Sequence, residues 1–363
     1  MRVVIAAGGT GGHFYPGLAV ARALSAEGHS VSFIIKKGDF VLPLLAREKI
    51  PYDAISAGGF NRRPDLKNLM VVGKLIAGFF HSFRILSRER PDALLVMGGY
   101  LSVPPALAAR MRGIPVVLHE QNVLPGLANR LLSRLASRVA VSFPASLSVF
   151  GSKAVLTGNP VRGEFFSLPM QSQAREKWGL DPEKKTVFVF GGSMGAHRLN
   201  QLVVEAFERL AVFADRHQVL HITGASDVTW VRPRYEKTPF RFYVDSYCHD
   251  MPSAYAASDL VICRAGASTV SELMVVGKPA IFIPYPLATG GHQTANAKVL
   301  ADLGRARVYQ QRDLQNGELT VILEGVLGRA PEWMNGKAGR TAPGADLANA
   351  AGKIAGLVRE VTA

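Results

Sequence analysis

Short runs of apolar residues recur along the chain, and longer stretches with helical spacing separate them. In the N-terminal part these runs occupy residues 3–7, 31–35, 93–97 and 115–119. Apolar runs of this length, without polar alternation, are typical of strands that are buried on both faces of a parallel sheet. The intervening stretches are long enough for crossover helices, so the pattern predicts an α/β fold.

The same pattern begins again further along the chain, at residues 186–190, 218–223, 259–263 and 279–284. Two series of strands predict two parallel-sheet domains. The turn-forming sequence GNPVR at residues 158–162 lies between the series and is the candidate hinge. We therefore expect a first domain at 1–160, a second at 161–335, and a C-terminal segment at 336–363 that ends in an amphipathic helix.

Length and composition agree with this division. A chain of 363 residues exceeds what a single hydrophobic core usually organises, and 48% apolar against 19% charged residues indicates a globular protein. Cys248 and Cys263 are the only cysteines. Their number and spacing support neither a disulfide framework nor a thiolate zinc site, as expected for a protein of the reducing cytoplasm.

The charge and the apolar runs also bear on possible partners. The N-terminal run ends in glycines after a few residues, so we interpret it as a strand and not as a secretion signal. No run approaches about 20 uninterrupted apolar residues, so any membrane contact is expected to be peripheral. The formal net charge of +14 favours an anionic partner, which could be nucleic acid, a lipid surface or a phosphorylated substrate.

Glycine-rich turns follow several of the predicted strands. They are GGTGGH at 8–13, GGY at 98–100, GGSMGA at 191–196 and RAGASTVSE at 264–272. Glycine lets the backbone approach a ligand closely, and the helix that follows offers amides and a positive dipole end, which together favour phosphate. Any one of these turns could simply be a tight connection, but several at equivalent strand ends indicate a phosphate ligand.

The common phosphate-binding motifs fit poorly. The first turn lacks the G-x-G-x-x-G spacing, and Lys36 and Lys37 end the second strand where a dinucleotide fold has an acid for the ribose. No turn carries the Gly-Lys-Ser/Thr of a P-loop, and no Asp-x-Asp metal clamp is present. These patterns disfavour NAD and nucleoside triphosphate hydrolysis. Helix ends and basic side chains are then expected to balance a diphosphate without a metal or other cofactor.

Several longer motifs occur in a fixed order: GGTGGHFYPGLAVARAL, GGYLSVPPALAARMRGIPVVLHEQN, GNPVR, GGSMGA, RAGASTVSELMVVGKPAIFIPYP and HQTANA. In this order they resemble the MurG family of peptidoglycan glycosyltransferases, from Arg2 to about Asp313. The resemblance implies the GT-B fold, in which two Rossmann-like domains face each other across a cleft.

The resemblance also implies an activity. Members of the family transfer N-acetylglucosamine from UDP-N-acetylglucosamine, with inversion, to the muramoyl 4-hydroxyl of lipid I, the undecaprenyl-diphosphate-linked muramoyl-pentapeptide, and give lipid II. The implied location is peripheral, on the anionic cytoplasmic face of the inner membrane. A related enzyme that glycosylates diacylglycerol is the nearest alternative. A nucleic-acid-binding protein is the alternative of another class, although no reader motif is recognisable.

The family's donor-binding residues carry over to Thr10, Gly11, Gly12, Asn122, Arg162, Ser193, Cys248, Ala267, Ser268, Thr269, Val270, Ser271, Glu272 and Gln293. By motif position, Thr10, Gly11, Gly12 and Ser193 meet the phosphates, with Arg162 nearby as a basic partner. Asn122 and Gln293 meet the sugar. Glu272 accepts the ribose hydroxyls, and the backbone at Cys248 reads uracil. A simpler interpretation of Thr269 and Glu272 is a capping box at a helix start.

The chemical step needs a base for the acceptor hydroxyl. His13 is the first candidate, because a helix N-terminus disfavours its protonation and leaves a neutral imidazole that can accept a proton. His13 could instead only hydrogen-bond a diphosphate oxygen, and Glu120 is the rival base. Tyr100 and His119 are expected in the acceptor cleft.

One helical segment, at residues 66–90, is candidate membrane-facing surface. At 100° per residue its apolar side covers roughly 180°, which is wider than packing on a sheet requires. We expect Leu75, Phe79 and Phe83 to face lipid, with Lys74 and Arg88 beside anionic head groups. The alternative is a buried helix whose basic residues are solvated.

Overall fold

The apolar runs form strands in two separate parallel sheets. A computed structural model describes residues 1–59, 66–315, 317–329, 331–335 and 347–362. Its contacts divide the chain into two compact units. Unit 1 contains Met1–Arg162 together with the C-terminal helix, and unit 2 begins at Gly163.

The sheet of unit 1 has seven strands in the order β3-β2-β1-β4-β5-β6-β7. Their bounds are β1 Arg2–Ala6, β2 Ser30–Lys36, β3 Tyr52–Ile55, β4 Ala93–Val96, β5 Val116–Glu120, β6 Arg138–Val141 and β7 Ala154–Leu156. The helices between them are α1 Gly11–Ala26, α2 Leu42–Arg47, α3 Leu66–Glu89, α4 Val103–Met111, α5 Leu127–Leu132 and α6 Leu147–Phe150.

The sheet of unit 2 has six strands in the order β10-β9-β8-β11-β12-β13. Their bounds are β8 Lys185–Phe190, β9 His217–Ile222, β10 Arg241–Asp245, β11 Leu260–Cys263, β12 Ala280–Phe282 and β13 Ala306–Val308. The accompanying helices are α7 Gln171–Lys177, α8 His197–Arg209, α9 Val228–Tyr235, α10 Met251–Ala257, α11 Ala267–Val276, α12 His292–Asp302 and α13 Glu318–Gly328.

Both faces of the unit 1 sheet are covered, which explains the continuous apolar runs. Val3 and Ile5 of β1 pack on the face that α1 covers, whereas Val4 packs on the opposite face with residues of α3 and α4. The last helix, α14 Ala350–Glu360, completes the first of these cores with buried Ile354 and Val358. Each such buried aliphatic side chain stabilises the unit by about 1.5–3 kcal/mol.

The prediction of two parallel sheets is confirmed, and every predicted run is a strand. In each sheet the chain reverses its direction of winding once, between β1 and β4 in unit 1 and between β8 and β11 in unit 2. The crevice beyond the carboxyl ends of strands at such a reversal is where α/β folds bind ligands. The predicted glycine turns follow these four strands.

Candidate active site

The first glycine turn leads directly from β1 into α1. Thr10 is the N-cap residue, has extended backbone angles and makes no capping hydrogen bond with its side chain. The amides of His13 and Phe14 both bond to the Thr10 carbonyl. The amides of Gly11 and Gly12 thus lie at the helix opening, where a positive dipole end favours an anion.

His13 lies in the first turn of α1, and the backbone of the neighbouring β4 connection orients it. Its Nδ1 is 2.8 Å from the carbonyl oxygen of Met97. A carbonyl can only accept, so Nδ1 carries a proton, and in the neutral form of the ring the lone pair is at Nε2. The GGY turn of unit 1 packs against this nitrogen, since a Cβ added at Gly99 would be 3.2 Å from Nε2.

Tyr100 also lies beside the first glycine turn. A Cβ added at Gly9 would be 3.3 Å from the Tyr100 hydroxyl, and one added at Gly59 would be 3.1 Å from its ring. Glycine at both positions leaves room for the aromatic side chain. The structure therefore brings the hydroxyl of Tyr100 and the imidazole of His13 to the same turn.

Arg162 belongs to this group as well, although it is far along the chain. Its guanidinium carbon lies 4.5 Å from the ring centroid of Tyr15. The same ring would be 3.3 Å from a Cβ added at Gly11. The Tyr15 ring thus bridges the arginine and the helix opening, and it keeps a positive charge close to the turn.

Glu120 ends β5 and is almost fully buried. Its Oε1 accepts hydrogen bonds from the backbone amide (2.8 Å) and side-chain amide (3.2 Å) of Asn122. Its Oε2 accepts from the Gly126 amide at 3.2 Å and from the Asn129 side chain at 2.8 Å. Burial raises the pKa of this carboxyl, and the four donors oppose that shift. The carboxylate therefore organises the loop that follows β5.

His119 does not lie where an acceptor could contact it. Its side chain has 0% exposure, which corrects the expectation of a place in an acceptor cleft. Its Nε2 is 3.1 Å from the hydroxyl of Ser142, which in turn donates to the Glu120 carbonyl. Burial, followed by the nearby His13, lowers the pKa of His119 to about 3. It is a neutral core residue behind the site.

The GGSMGA turn of unit 2 packs tightly against the connection that follows β9. A Cβ added at Gly195 would be 2.3 Å from the carbonyl oxygen of Thr223, so only glycine fits there. Asn200 of α8 donates to the same carbonyl at 2.8 Å and to Asp227 at 2.7 Å. Ser193, at the tip of the turn, is exposed.

Asp227 is the centre of a polar network beneath this turn. Besides Asn200, it accepts from His197 Nδ1 at 2.8 Å and from Trp230 Nε1 at 2.9 Å. His221 continues the network, with Nε2 3.1 Å from the Asn200 side-chain oxygen. Burial lowers the pKa of His221 to about 3, so it is neutral in the folded protein.

The start of α11 tests the capping-box interpretation of Thr269 and Glu272. The helix begins at Ala267 with Gly266 as its N-cap residue. Thr269 lies inside the first turn and cannot cap it, so the capping-box interpretation is wrong. Glu272 is half-buried and accepts from the hydroxyl of Tyr255 at 3.1 Å.

The remaining predicted donor residues also lie at the carboxyl edge of the second sheet. Ala267, Val270 and Ser271 are buried in the first turns of α11, and Ser268 and Thr269 are half-buried. Cys248 is buried in the connection after β10. The side-chain oxygen of Gln293 accepts from the Tyr285 amide at 2.9 Å and so holds the connection after β12.

Comparison with known proteins identifies the family. The glycosyltransferase family 28 N-terminal domain matches residues 3–141, and the family 28 C-terminal domain matches residues 186–342. The crystal structure of MurG from Acinetobacter baumannii is 31% identical, covers 99% of each chain and superposes with a TM-score of 0.73. The chain belongs to the MurG glycosyltransferases of family 28.

Curated relatives of this MurG-family glycosyltransferase agree. Proteins from Geotalea uraniireducens and Myxococcus xanthus are 39% and 38% identical over 88% of the chain, and they are matched over 87% and 82% of their own lengths. Both are named UDP-N-acetylglucosamine--N-acetylmuramyl-(pentapeptide) pyrophosphoryl-undecaprenol N-acetylglucosamine transferase. A UDP-GlcNAc 2-epimerase from Neisseria meningitidis, 14% identical with a TM-score of 0.70, shares only the fold.

Helix α3 of the glycosyltransferase presents an apolar stripe to the outside. From Leu69 onward, where its side chains are described, the exposed large apolar residues are Leu69, Met70, Val72, Ile76 and Phe80. The opposite side contributes Ile85 and Leu86 to the core. By length and composition alone, Leu69–Glu89 could cross a bilayer. The segment is not an uninterrupted apolar run in the sequence, because polar residues such as Lys74 and His81 lie within it.

The membrane-facing residues predicted in α3 are only partly placed as expected. Lys74 is exposed, and Leu75 is half-buried. Phe79 and Phe83 pack partly against the core, so the exposed stripe lies next to them and not on them. Arg88 forms ion pairs with Asp53 and with Glu89, which compensate its charge. The alternative of a fully buried helix is also wrong.

Three residues of the glycosyltransferase site were not predicted. Gln121 donates to the same Met97 carbonyl as His13, and Asn129 links the Gly99 amide to Glu120. Asp39 accepts from the Gly9 amide at 2.6 Å. The sequence did contain a signal for Asp39. A dinucleotide fold has an acid at the end of the second strand, where this chain has Lys36 and Lys37, and Asp39 lies only a few residues further along the chain.

Proposed function

We propose that this MurG-family glycosyltransferase transfers N-acetylglucosamine from UDP-N-acetylglucosamine to the muramoyl 4-hydroxyl of lipid I, with inversion, and so gives lipid II. The names of relatives at 38–39% identity over most of the chain support this donor and this acceptor. The geometry of unit 1 supports the proposed transfer reaction. The observation on which this support rests is the hydrogen bond between His13 and the Met97 carbonyl.

That hydrogen bond prepares His13 for proton transfer. With Nδ1–H donated to the carbonyl, Nε2 of the neutral ring accepts the proton of the acceptor hydroxyl. The hydroxyl oxygen then attacks the anomeric carbon from the face opposite the nucleotide. The bond from that carbon to the UDP oxygen breaks, and its electron pair leaves with the diphosphate. The proton stays on the imidazole, whose Nδ1–H remains bonded to Met97.

The diphosphate that leaves needs positive partners. We assign this role to the helix opening at Thr10, Gly11 and Gly12 and to Arg162, which the Tyr15 ring holds beside that opening. Ser193 of the GGSMGA turn would add a hydroxyl group to these partners of the diphosphate. Amides, a helix dipole and a guanidinium offer the charge compensation that other transferases obtain from a metal ion, so we propose a metal-independent reaction.

The remaining donor contacts follow from family position and from the geometry of each unit. Glu272, which the Tyr255 hydroxyl orients, would accept the ribose hydroxyls, as charged acceptors at fixed positions commonly do. Asn122 and Gln293 would meet the sugar, and the backbone at Cys248 would meet uracil. The amides of Ala267 to Ser271 would face the donor.

We assign Glu120 a positioning role and not the role of base. Each of its oxygens already accepts two hydrogen bonds, from the loop that carries Asn122 and from Asn129 of α5. Taking a proton would weaken these bonds at once. Tyr100 lies by the first turn with its hydroxyl near Gly9, so it is better placed than Glu120 to contact an acceptor group.

The test combines turnover with binding. Purified protein is given UDP-N-acetylglucosamine and lipid I, and the release of UDP and the formation of lipid II are measured. Calorimetric titrations with UDP-N-acetylglucosamine, UDP-glucose and NADH report donor selectivity. We expect tight binding only of the first. Transfer to diacylglycerol and not to lipid I would contradict the proposed acceptor, and retention on nucleic acid without a response to UDP-sugar would contradict the enzyme class.

The exposed stripe of α3 supports a peripheral location on the anionic cytoplasmic face of the membrane. Ile76 and Phe80 are 54% and 65% exposed, and His81 and Arg84 are exposed beside them. Apolar residues flanked by basic ones are typical of helices that lie in the head-group region. Because the opposite side of α3 packs on the core of unit 1, the helix is suited to lie on a membrane and not to cross it.

Vesicle binding tests this location. Ile76→Ser with Phe80→Ser should reduce pelleting with anionic vesicles at least about tenfold, since each exposed apolar side chain that enters lipid contributes about 1.5 kcal/mol or more. Val321→Ser is the matched control, because Val321 is 69% exposed but lies in unit 2. Equal binding of all three proteins would remove α3 as the membrane contact.

A further inference from the structure

Asp39 is a buried carboxylate inside the first glycine turn. It lies in the connection between β2 and α2, with 6% of its surface exposed. Its Oδ2 accepts the Gly9 amide at 2.6 Å, and a Cβ added at Gly8 would be 2.5 Å from the same oxygen. The turn therefore curls around the carboxylate, and no larger residue could occupy position 8 without displacing it.

The other oxygen of Asp39 shows that this contact is not optimised for stability. Among the residues described in the structure, Oδ1 is buried and has no hydrogen-bond partner. A buried, unsatisfied acceptor costs desolvation free energy that a neutral or exposed residue would avoid. Such a group in a native structure calls for an explanation, and function is a common one.

The position of the contact indicates what it does. Gly9 immediately precedes Thr10, the N-cap residue of α1, so fixing the Gly9 amide fixes the backbone that leads into the helix opening. A charge-assisted hydrogen bond to a carboxylate is about twice as strong as a neutral one. His13, by contrast, has its own anchor at the Met97 carbonyl and does not depend on Asp39 for its orientation.

We infer that Asp39 is a positioning residue of the transfer reaction, which holds the first glycine turn so that the amides at the start of α1 face the diphosphate of a substrate. This inference rests on the proposed function. It deepens that proposal, because it predicts that Asp39 acts through the helix opening, on the binding of a diphosphate, and not through His13. The diphosphate could be that of the nucleotide sugar or that of the lipid-linked acceptor.

The experiment compares Asp39→Ala, Asp39→Asn and wild type. Asp39→Ala should raise one substrate KM about tenfold or more, the usual result of losing a hydrogen bond to a charged group. If that substrate is the donor, kcat should fall as well, because the same amides stabilise the diphosphate as it leaves; if it is lipid I, kcat should stay within about threefold. Asp39→Asn keeps an oxygen for the Gly9 amide and should restore KM to within about threefold of wild type. KM is measured for UDP-N-acetylglucosamine at saturating lipid I, and then for lipid I at saturating donor.

Asp92→Ala is the matched control. Its Oδ2 accepts the amide of Arg2 at 2.7 Å, so the same kind of contact holds the other end of β1, far from the glycine turn. This variant should leave both KM values unchanged. Hydrogen exchange of the peptide that contains Gly9 adds a readout without substrate, and it should quicken in Asp39→Ala only.

The outcomes distinguish a failure of the role inferred for Asp39 from a failure of the proposed function. A rise in donor KM assigns the turn to the nucleotide diphosphate, a rise in lipid I KM assigns it to the acceptor diphosphate, and both support the role of Asp39. Unchanged KM values in Asp39→Ala, or a fall in kcat alone, would overturn it. If Asp39→Ala does not fold, Asp39→Ser takes its place with the same expectation. Wild-type protein that neither binds nor transfers the sugar would contradict the proposed function instead.

Discussion

The two glycine turns occupy equivalent places in the two sheets, yet different forces fix them. In unit 1 a carboxylate from the neighbouring strand connection, Asp39, holds the turn at Gly9. In unit 2 the turn at Gly195 packs directly on the backbone of Thr223, and the charged network around Asp227 lies beneath it. One turn is held by a side chain, and the other by close backbone packing.

From this difference we expect the two units to contribute differently to the proposed reaction. Titratable side chains that can act on a substrate, His13 and Tyr100, surround the turn of unit 1. The turn of unit 2 exposes Ser193 and Met194, while its histidine and carboxylate are consumed in a hydrogen-bond network. Proton transfer is therefore expected in unit 1 and recognition of the nucleotide in unit 2.

The largest effect is expected at His13. His13→Ala should lower kcat by about 10²- to 10⁴-fold, the usual contribution of a general base, because it removes the Nε2 that takes the proton in the proposed reaction. Donor affinity, measured by calorimetry, should stay within about threefold of wild type. His13→Gln can keep a hydrogen bond to the Met97 carbonyl without supplying a base, so it should be equally slow.

Glu120→Gln is the counterpart to this variant. Its amide group would place N–H donors against the donors that now bind the carboxylate, so we expect loss of stability by about 1–3 kcal/mol in urea titrations. Near-wild-type turnover of His13→Ala, together with a stable but inactive Glu120→Gln, would transfer the role of base to Glu120.

The next largest effect is expected at Gly195. Gly195→Ala forces a Cβ against the Thr223 carbonyl at 2.3 Å, so the turn must move and UDP-N-acetylglucosamine affinity should fall at least about tenfold. Gly192→Ala is the matched control. Gly192 also has a positive φ, of 101°, but an added Cβ meets nothing within 4 Å. The control isolates backbone strain from close packing.

A difference between the two variants measures the packing that unit 2 uses in place of a carboxylate. Equal losses of donor affinity in Gly195→Ala and Gly192→Ala would mean that only the backbone conformation matters. The contrast between the two turns would then be one of conformation and not of contact.

A smaller effect on the same substrate is expected at Glu272. Glu272→Ala should weaken UDP-N-acetylglucosamine binding by about tenfold, because it removes a charged hydrogen-bond acceptor. Tyr255→Phe removes only the hydroxyl that orients Glu272 and should cost about threefold. Calorimetry gives both affinities and thermal unfolding gives the stability. Unchanged affinity with a lowered unfolding temperature would leave Glu272 with a purely structural role.

The sequence predicted the sheets well because burial on both faces leaves a continuous apolar run. The strands it missed are short or more exposed. The burial patterns of β3 and β13 mix exposed, intermediate and buried positions, and all three positions of β7 are intermediate. Such strands are defined by pairing with a neighbour, and pairing is not visible in the local pattern.

The sequence predicted the candidate site less evenly. Motifs identified the turns and His13, because glycine spacing is a local property. Burial at His119, the ion pairs of Arg88 and the contact at Asp39 depend on residues that meet only in the folded units. Family position places a residue on a strand or helix, but it does not say whether its side chain points outward or into the core.

The last expected effect is on stability, and it concerns one buried histidine in each unit. The pKa of His119 and that of His221 are each lowered to about 3 by burial, whereas the unfolded chain titrates near 6.5. Between these values the unfolded state binds a proton that the folded state excludes. The free energy of unfolding should therefore fall by about 1.4 kcal/mol for each histidine and each pH unit below about 6.5.

Urea titrations at pH 7.5 and pH 5.5 check this expectation. His119→Gln and His221→Gln should each remove about 1.4 kcal/mol from the loss of stability between these values, whatever their effect at pH 7.5. Because each histidine lies in the core of a different unit, the two effects should add in the double variant. A pH dependence equal to that of wild type in either single variant would mean that the histidine of that unit is protonated in the folded state. The units would then differ in how well they exclude a charge, as well as in how they hold their turns.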